Sequence, residues 1–94
     1  MIIVSGRIYV YECTREDFLA LSRDAILQAR KAPGCQDFIV AADPIEPDRV
    51  NVYEEWETEE QLLSFRGSGP NDSMTSVIKH AAVYRHQVSS SSPA

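Results

Sequence analysis

Within the fifteen residues from Asn51 to Phe65, NVYEEWETEEQLLSF, the hydrophobic period changes from two to about 3.6, so a strand must hand over to a helix almost without a connection. Val50, Val52, Glu54 and Trp56 alternate with Asn51, Tyr53 and Glu55, and β-branched and aromatic types dominate, which predicts a strand over Arg49 to Trp56. Thr58 followed three residues later by Gln61 is the capping-box signature: the hydroxyl takes the Gln61 amide while the Gln61 side chain reaches back to Thr58. Glu59 and Glu60 then fall in the first helical turn, where exposed amides and the positive end of the dipole favour carboxylates. Leu62, Leu63 and Phe65 supply the apolar side, and Gly67-Ser68-Gly69-Pro70 stops the helix.

The rest of the chain is arranged around this junction. Ile2 to Tyr11 alternates Val4, Gly6, Ile8 and Val10 with Ile3, Ser5, Arg7, Tyr9 and Tyr11, a strand with apolar bulk on both faces. Thr14 is placed to cap a helix whose stripe is Phe18, Leu21, Ala25, Ala29 and Ala32, widened by Ile26, and Pro33-Gly34 ends it. Gln36 to Ala42 predicts a second strand, with Phe38, Val40 and Ala42 opposite Asp37, Ile39 and Ala41. The two prolines in Asp43-Pro44-Ile45-Glu46-Pro47-Asp48 suit an exposed hairpin loop. Asn71 or Asp72 can cap a short helix through Met74, Val77 and Ile78, and His80 to Val88 forms the last strand. One domain over residues 1–88 is expected, followed by a disordered tail, Ser89 to Ala94.

The order is β-α-β-β-α-β, the ferredoxin-like α+β arrangement of an antiparallel sheet with helices on one face. The helices can cover Val4, Ile8, Phe38 and Val40. The opposite face keeps Ile3, Tyr9, Tyr11, Ile39 and Tyr53, more contiguous apolar area than a monomer surface usually shows, so pairing of two sheets into a homodimer is expected.

Composition narrows the partners. A formal charge of −5 in 94 residues, without a Lys/Arg cluster, argues against nucleic acid or an anionic membrane surface. No apolar run approaches the roughly 20 residues of a membrane span, and a cytoplasmic protein is expected. Cys13 and Cys35 have neither metal-ligand nor CxxC spacing and are expected as free thiols; neither a metal nor a cofactor is expected.

Ala32-Pro33-Gly34-Cys35 ahead of a strand, with Val52-Tyr53-Glu54-Glu55-Trp56-Glu57-Thr58-Glu59-Glu60 entering a helix, resembles the antibiotic biosynthesis monooxygenase (ABM) domain, and the resemblance extends to Val88. It implies a dimeric α+β barrel with one pocket per subunit, between sheet and helices, in which cofactor-independent enzymes oxidise phenolic or quinol substrates with O2. Trp56 matches the family's strand-end tryptophan and Glu54 its strand glutamate. The chain departs from the pattern at Phe65-Arg66, where many members carry a helix histidine, and at Gly6, which aligns with the asparagine of the haem-degrading branch.

The catalytic candidates are therefore Trp56, Glu54, Asn51 and His80, and the substrate-lining candidates Phe18, Leu21, Phe38, Phe65 and Met74. Each has a plainer role beside the functional one. Trp56 and the other apolar residues are equally suited to core packing, and Glu54 to a salt bridge with Arg7, Arg66 or Arg85. Asn51 has the wrong parity for Glu54's face and suits a dimer-interface hydrogen bond, whereas a lone strand histidine such as His80 is commonly a surface residue. A non-catalytic ligand-binding or accessory protein of the same fold is the alternative function, and an isomerase or lyase acting on a small acid is a third.

Overall fold

The computed structural model describes residues 1–67 and 75–94. Its elements run β1 (Ile2–Val10), α1 (Arg15–Lys31), β2 (Cys35–Ala42), β3 (Arg49–Trp56), α2 (Glu59–Arg66) and β4 (Ile78–Gln87). The strands form one antiparallel sheet in the order β2-β3-β1-β4, with α1 and α2 on one face, so the ferredoxin-like α+β expectation holds.

Register fixes which side chains share a face. Val4 stands opposite Glu54, and Glu54 opposite Phe38, so these three point towards the helices together with Ile2, Val52 and Trp56. Ile2, Val4, Phe38, Trp56 and Leu62 pack with Ala29 in one buried cluster, and Val10, Phe18 and Val50 form a second. Half-buried Val40 touches both. The other face carries Ile3, Tyr9, Ile39, Asn51, Tyr53, His80, Tyr84 and His86, and among the described residues no helix lies over it.

Two glycines are required by close approach. An added Cβ on Gly6 would collide with the Ala82 carbonyl and lie 2.6 Å from Val83 Cα, so the absence of a side chain lets β4 lie against β1. Gly34 takes φ 85°, which closes the turn after α1, and the Gln61 side chain occupies the space its Cβ would fill. Only half of the expected capping box therefore forms: Thr58 Oγ1 accepts the Gln61 amide at 3.2 Å, but the Gln61 side chain lies over Gly34, its buried Oε1 without a hydrogen-bond partner among the described residues.

Three other expectations change. Thr14 precedes α1, but its hydroxyl donates back to the Tyr11 carbonyl at 2.6 Å and caps no helix amide. Leu21 faces solvent, because the buried line of α1 is Phe18, Ser22 and Ala29, and Leu21 lies roughly 100° around the helix from Ser22. Ser22 tolerates that place because its hydroxyl donates to the Phe18 carbonyl at 2.8 Å. Val77 and Ile78 leave the expected short helix: Ile78 opens β4 and the Val77 carbonyl accepts the Tyr11 amide, while Asn71, Asp72 and Met74 lie outside the described residues.

The β2–β3 loop is held from several sides. Arg15 Nη1 donates to the carbonyls of Asp43, Glu46 and Arg49 at 3.1, 3.0 and 3.3 Å. Asp43 accepts the amides of Glu46 and Ile45 and the Asn51 side-chain amide, and these hydrogen bonds, with Arg49 nearby, lower its pKa to about 2. A carboxylate with a depressed folded pKa contributes stability above its ordinary value of 3.8 and loses that contribution as pH falls towards 2. Melting temperature measured from pH 5 down to pH 2 should therefore fall more steeply for the native chain than for Asp43→Asn. Parallel curves would show the network contributing nothing.

β2 is an edge strand, and its edge is blocked at Phe38. There the outward carbonyl accepts Arg30 Nε at 2.9 Å, and the outward amide donates to Asp37 Oδ1, also at 2.9 Å.

Candidate functional site

The immediate passage from β3 into α2 brings Glu54, Trp56, Phe65 and Arg66 together. Glu54 and Trp56 are two apart on β3 and share its helix-facing side; α2 then folds back so that Phe65 and Arg66, in its last turn, come over them. Trp56 Nε1 donates to Glu54 Oε1 at 2.9 Å, and Arg66 Nη2 donates to Glu54 Oε2 at 3.3 Å. The Phe65 ring lies 5.4 Å from that of Trp56, tilted 34°, and meets Phe38 edge-on at 5.8 Å.

Burial is graded along this chain of contacts. Trp56 is 0% exposed and the Glu54 side chain 6%, whereas the Arg66 side chain is 47% exposed. A carboxylate among Ile2, Val4, Phe38 and Leu62 needs donors to both oxygens, and it has them. Of the three arginines considered for it, Arg66 is the partner; Arg85 pairs with Glu59 at 3.0 Å, and Arg7 is exposed on the open face. Half-buried Cys35 packs against the same cluster, where burial first and the Glu54 charge second push its thiol pKa up, which keeps it a poor nucleophile.

The remaining candidates are placed elsewhere. Asn51 is on the open face, donating to Asp43 Oδ1 at 2.9 Å and accepting Arg49 Nε at 2.7 Å. His80 is exposed on that face as well, stacked on Tyr9 at 6.2 Å between ring centroids. Phe18 belongs to the second buried cluster, and Leu21 is 39% exposed. Among the named candidates, then, Glu54, Trp56, Phe38 and Phe65 converge.

Two grooves formed by described residues are lined by side chains other than Glu54, Trp56, Phe65 and Arg66. One of about 480 Å³ is lined by Glu12, Cys13, Arg15, Glu16, Pro47 and Asp48, and one of about 330 Å³ by Arg30, Cys35, Gln36 and Asp37. Among the described residues, no three His, Cys, Asp or Glu side chains group so as to hold a metal ion, and no helix is long and apolar enough to cross a membrane.

The sequence profile of the antibiotic biosynthesis monooxygenase family matches residues 1–74. The chain belongs to that family. Solved structures similar to this ABM domain include a candidate antibiotic biosynthesis monooxygenase of Nitrosomonas europaea, with a TM-score of 0.86 at 16% identity over 96% of this chain and 100% of that one. Another, of Deinococcus radiodurans, has a TM-score of 0.81 at 13% identity over 100% and 98% of the two chains. A conserved protein of Methanosarcina mazei reaches 0.79 at 20% identity, over 92% and 90%. At these identities the likeness shows a shared fold. No curated protein sequence matches the chain.

Proposed function

We propose that this ABM domain is a cofactor-independent monooxygenase, taking a small phenolic or quinol-type aromatic compound and O2 as substrates. Family membership supports this, and the observation that carries it is Glu54: a carboxylate buried beneath the helices and linked to solvent through a half-exposed guanidinium. The chemistry balances without a metal or an organic cofactor, because the substrate itself is the reductant. A phenol with a ring C–H para to its hydroxyl, plus O2, gives the quinone and water. An electron-rich phenolate passes an electron directly to O2, so the protein has to bind the ring, favour its deprotonated form and limit water.

O2 uptake with a panel of quinols and hydroxylated aromatics tests the reading. Uptake above the uncatalysed rate, with a quinone product, is the expected result. Saturable binding of the same compounds without uptake would favour the alternative, a non-catalytic ligand-binding protein, a reading supported by the absence of any histidine from α2.

The domain is proposed to act as a homodimer built through the open face of the sheet. Ile39 and Tyr84 are 38% and 64% exposed there, and burying such area is worth about 25 cal/mol per Å². Sedimentation of the 10.5-kDa chain at micromolar concentration should give about twice that mass, and Ile39→Asp should shift it to monomer. A native chain sedimenting as a stable monomer would rule the dimer out.

A further inference from the structure

Resting on the monooxygenase reading, we infer that Arg66 receives the phenolic oxygen of the substrate, releasing Glu54 Oε2 so that this carboxylate takes the phenolic proton. Glu54 is buried, and each of its carboxylate oxygens has a side-chain donor among the described residues. Oε1 is closed off by the Nε1 of fully buried Trp56, whereas Oε2 faces Arg66, whose side chain is 47% exposed.

The Arg66 contact is suited to exchange. It is made by a single nitrogen at 3.3 Å, beyond the roughly 2.7–2.9 Å of a strong charge-assisted bond, and a guanidinium has five N–H groups in a planar fork. A second oxygen can therefore be accepted before the first is given up. Stability explains the arrangement poorly. An ion pair with one half-exposed partner adds little, and a buried carboxylate costs more than an apolar residue of its size at a place otherwise lined by Ile2, Val4, Phe38 and Leu62.

In the step itself the phenolic O–H bond breaks, the new O–H bond forms on Glu54 Oε2, and the electron pair stays on the phenolate oxygen beside Arg66. The site begins with one carboxylate and one guanidinium and ends with a neutral acid, the same guanidinium and a phenolate, so its net charge is unchanged. Phe65, the residue before Arg66, is half-buried against Trp56 and Phe38 and offers the ring contact. Trp56 acts through Glu54 as a positioning residue. Neutral phenols are the substrate class selected, because a ligand that arrives as a carboxylate meets the charged Glu54 without a proton to give it.

The test uses 4-nitrophenol, whose phenolate absorbs in the visible, at a pH where the free probe is protonated. The native protein should bind it and develop the phenolate band, and benzoate should fail to displace it. Arg66→Gln should raise the apparent pKa of the bound probe by at least one unit, a tenfold loss of the phenolate fraction, with Arg66→Lys recovering part of it. Thermal melting of both variants controls for folding. A probe that binds the native protein and stays neutral, or an unchanged band in Arg66→Gln, would overturn the role of Arg66 while leaving monooxygenation standing if O2 uptake with quinols is observed. No binding of nitrophenol or of any quinol would overturn both.

Discussion

Trp56→Ala is expected to destabilise the domain by about 3–5 kcal/mol, the usual cost of emptying a large aromatic site in a packed core. Trp56 is 0% exposed and contacts the cluster of Ile2, Val4, Phe38 and Leu62. Domains of this size have total stabilities of only about 5–15 kcal/mol, so much of the population should be unfolded at moderate urea concentrations. Trp56→Phe separates packing from hydrogen bonding. Most of the volume remains, but Glu54 Oε1 loses its donor, and an unsatisfied buried acceptor costs about 1–3 kcal/mol. Pairing Trp56→Phe with Glu54→Leu should cost less than the two single changes together, since the acceptor left stranded by the first is removed by the second. Urea denaturation followed by circular dichroism measures the native chain and the four variants. A Trp56→Phe variant as stable as the native chain would mean that the indole N–H contributes nothing to the fold.

Gly6→Val should cost about 3 kcal/mol or more, because overpacking here sets a side chain against backbone. Its Cβ would meet the Ala82 carbonyl and Val83 Cα, neither of which can rotate aside, and Gly6 sits midway along the β1–β4 ladder. The damage should be local first. β4 is an edge strand, so it can separate while β1, β3 and β2 stay paired. Hydrogen exchange should show lost protection for the β4 amides, with the β2–β3 ladder much less affected. Uniform loss of protection in every strand would show instead that β4 is integral to the cooperative unit.

Much of the fold is legible in the sequence because burial on a sheet has a period of two and the chain obeys it. Val4, Val50, Val52, Glu54 and Trp56 are all buried, and parity alone places Glu54 beside Trp56 and Asn51 on the opposite face. What escapes is decided by contacts that the hydrophobic period does not encode. Leu21 and Ser22 are both compatible with a helical stripe, and only the phase at which α1 meets the sheet makes the serine the buried one. Thr14 looks like a cap, but its hydroxyl finds the Tyr11 carbonyl first. At the site, Trp56 and Glu54 are legible, and Phe65 follows from helical spacing. Arg66 is one of three arginines that could have reached Glu54. It is selected because Gly67 ends α2 just after it, leaving the guanidinium in the last turn, over β3. A strand glutamate beside a helix-terminal arginine about twelve residues later is the signal that could have found it.

The blocked edge of β2 has a bearing on how copies of this chain can add to one another. With the Phe38 amide and carbonyl taken up by Asp37 and Arg30, a neighbouring strand has no free ladder groups to join at that point, while β4, ten residues long, has no strand on its outer side among the described residues. Lateral growth of the sheet is thus polar. If two copies join β4 to β4, each presents outwards a β2 edge that is blocked at Phe38. Fibril-type propagation requires both edges of every copy to accept a strand, so the side chains of Asp37 and Arg30 oppose such growth at the β2 edge.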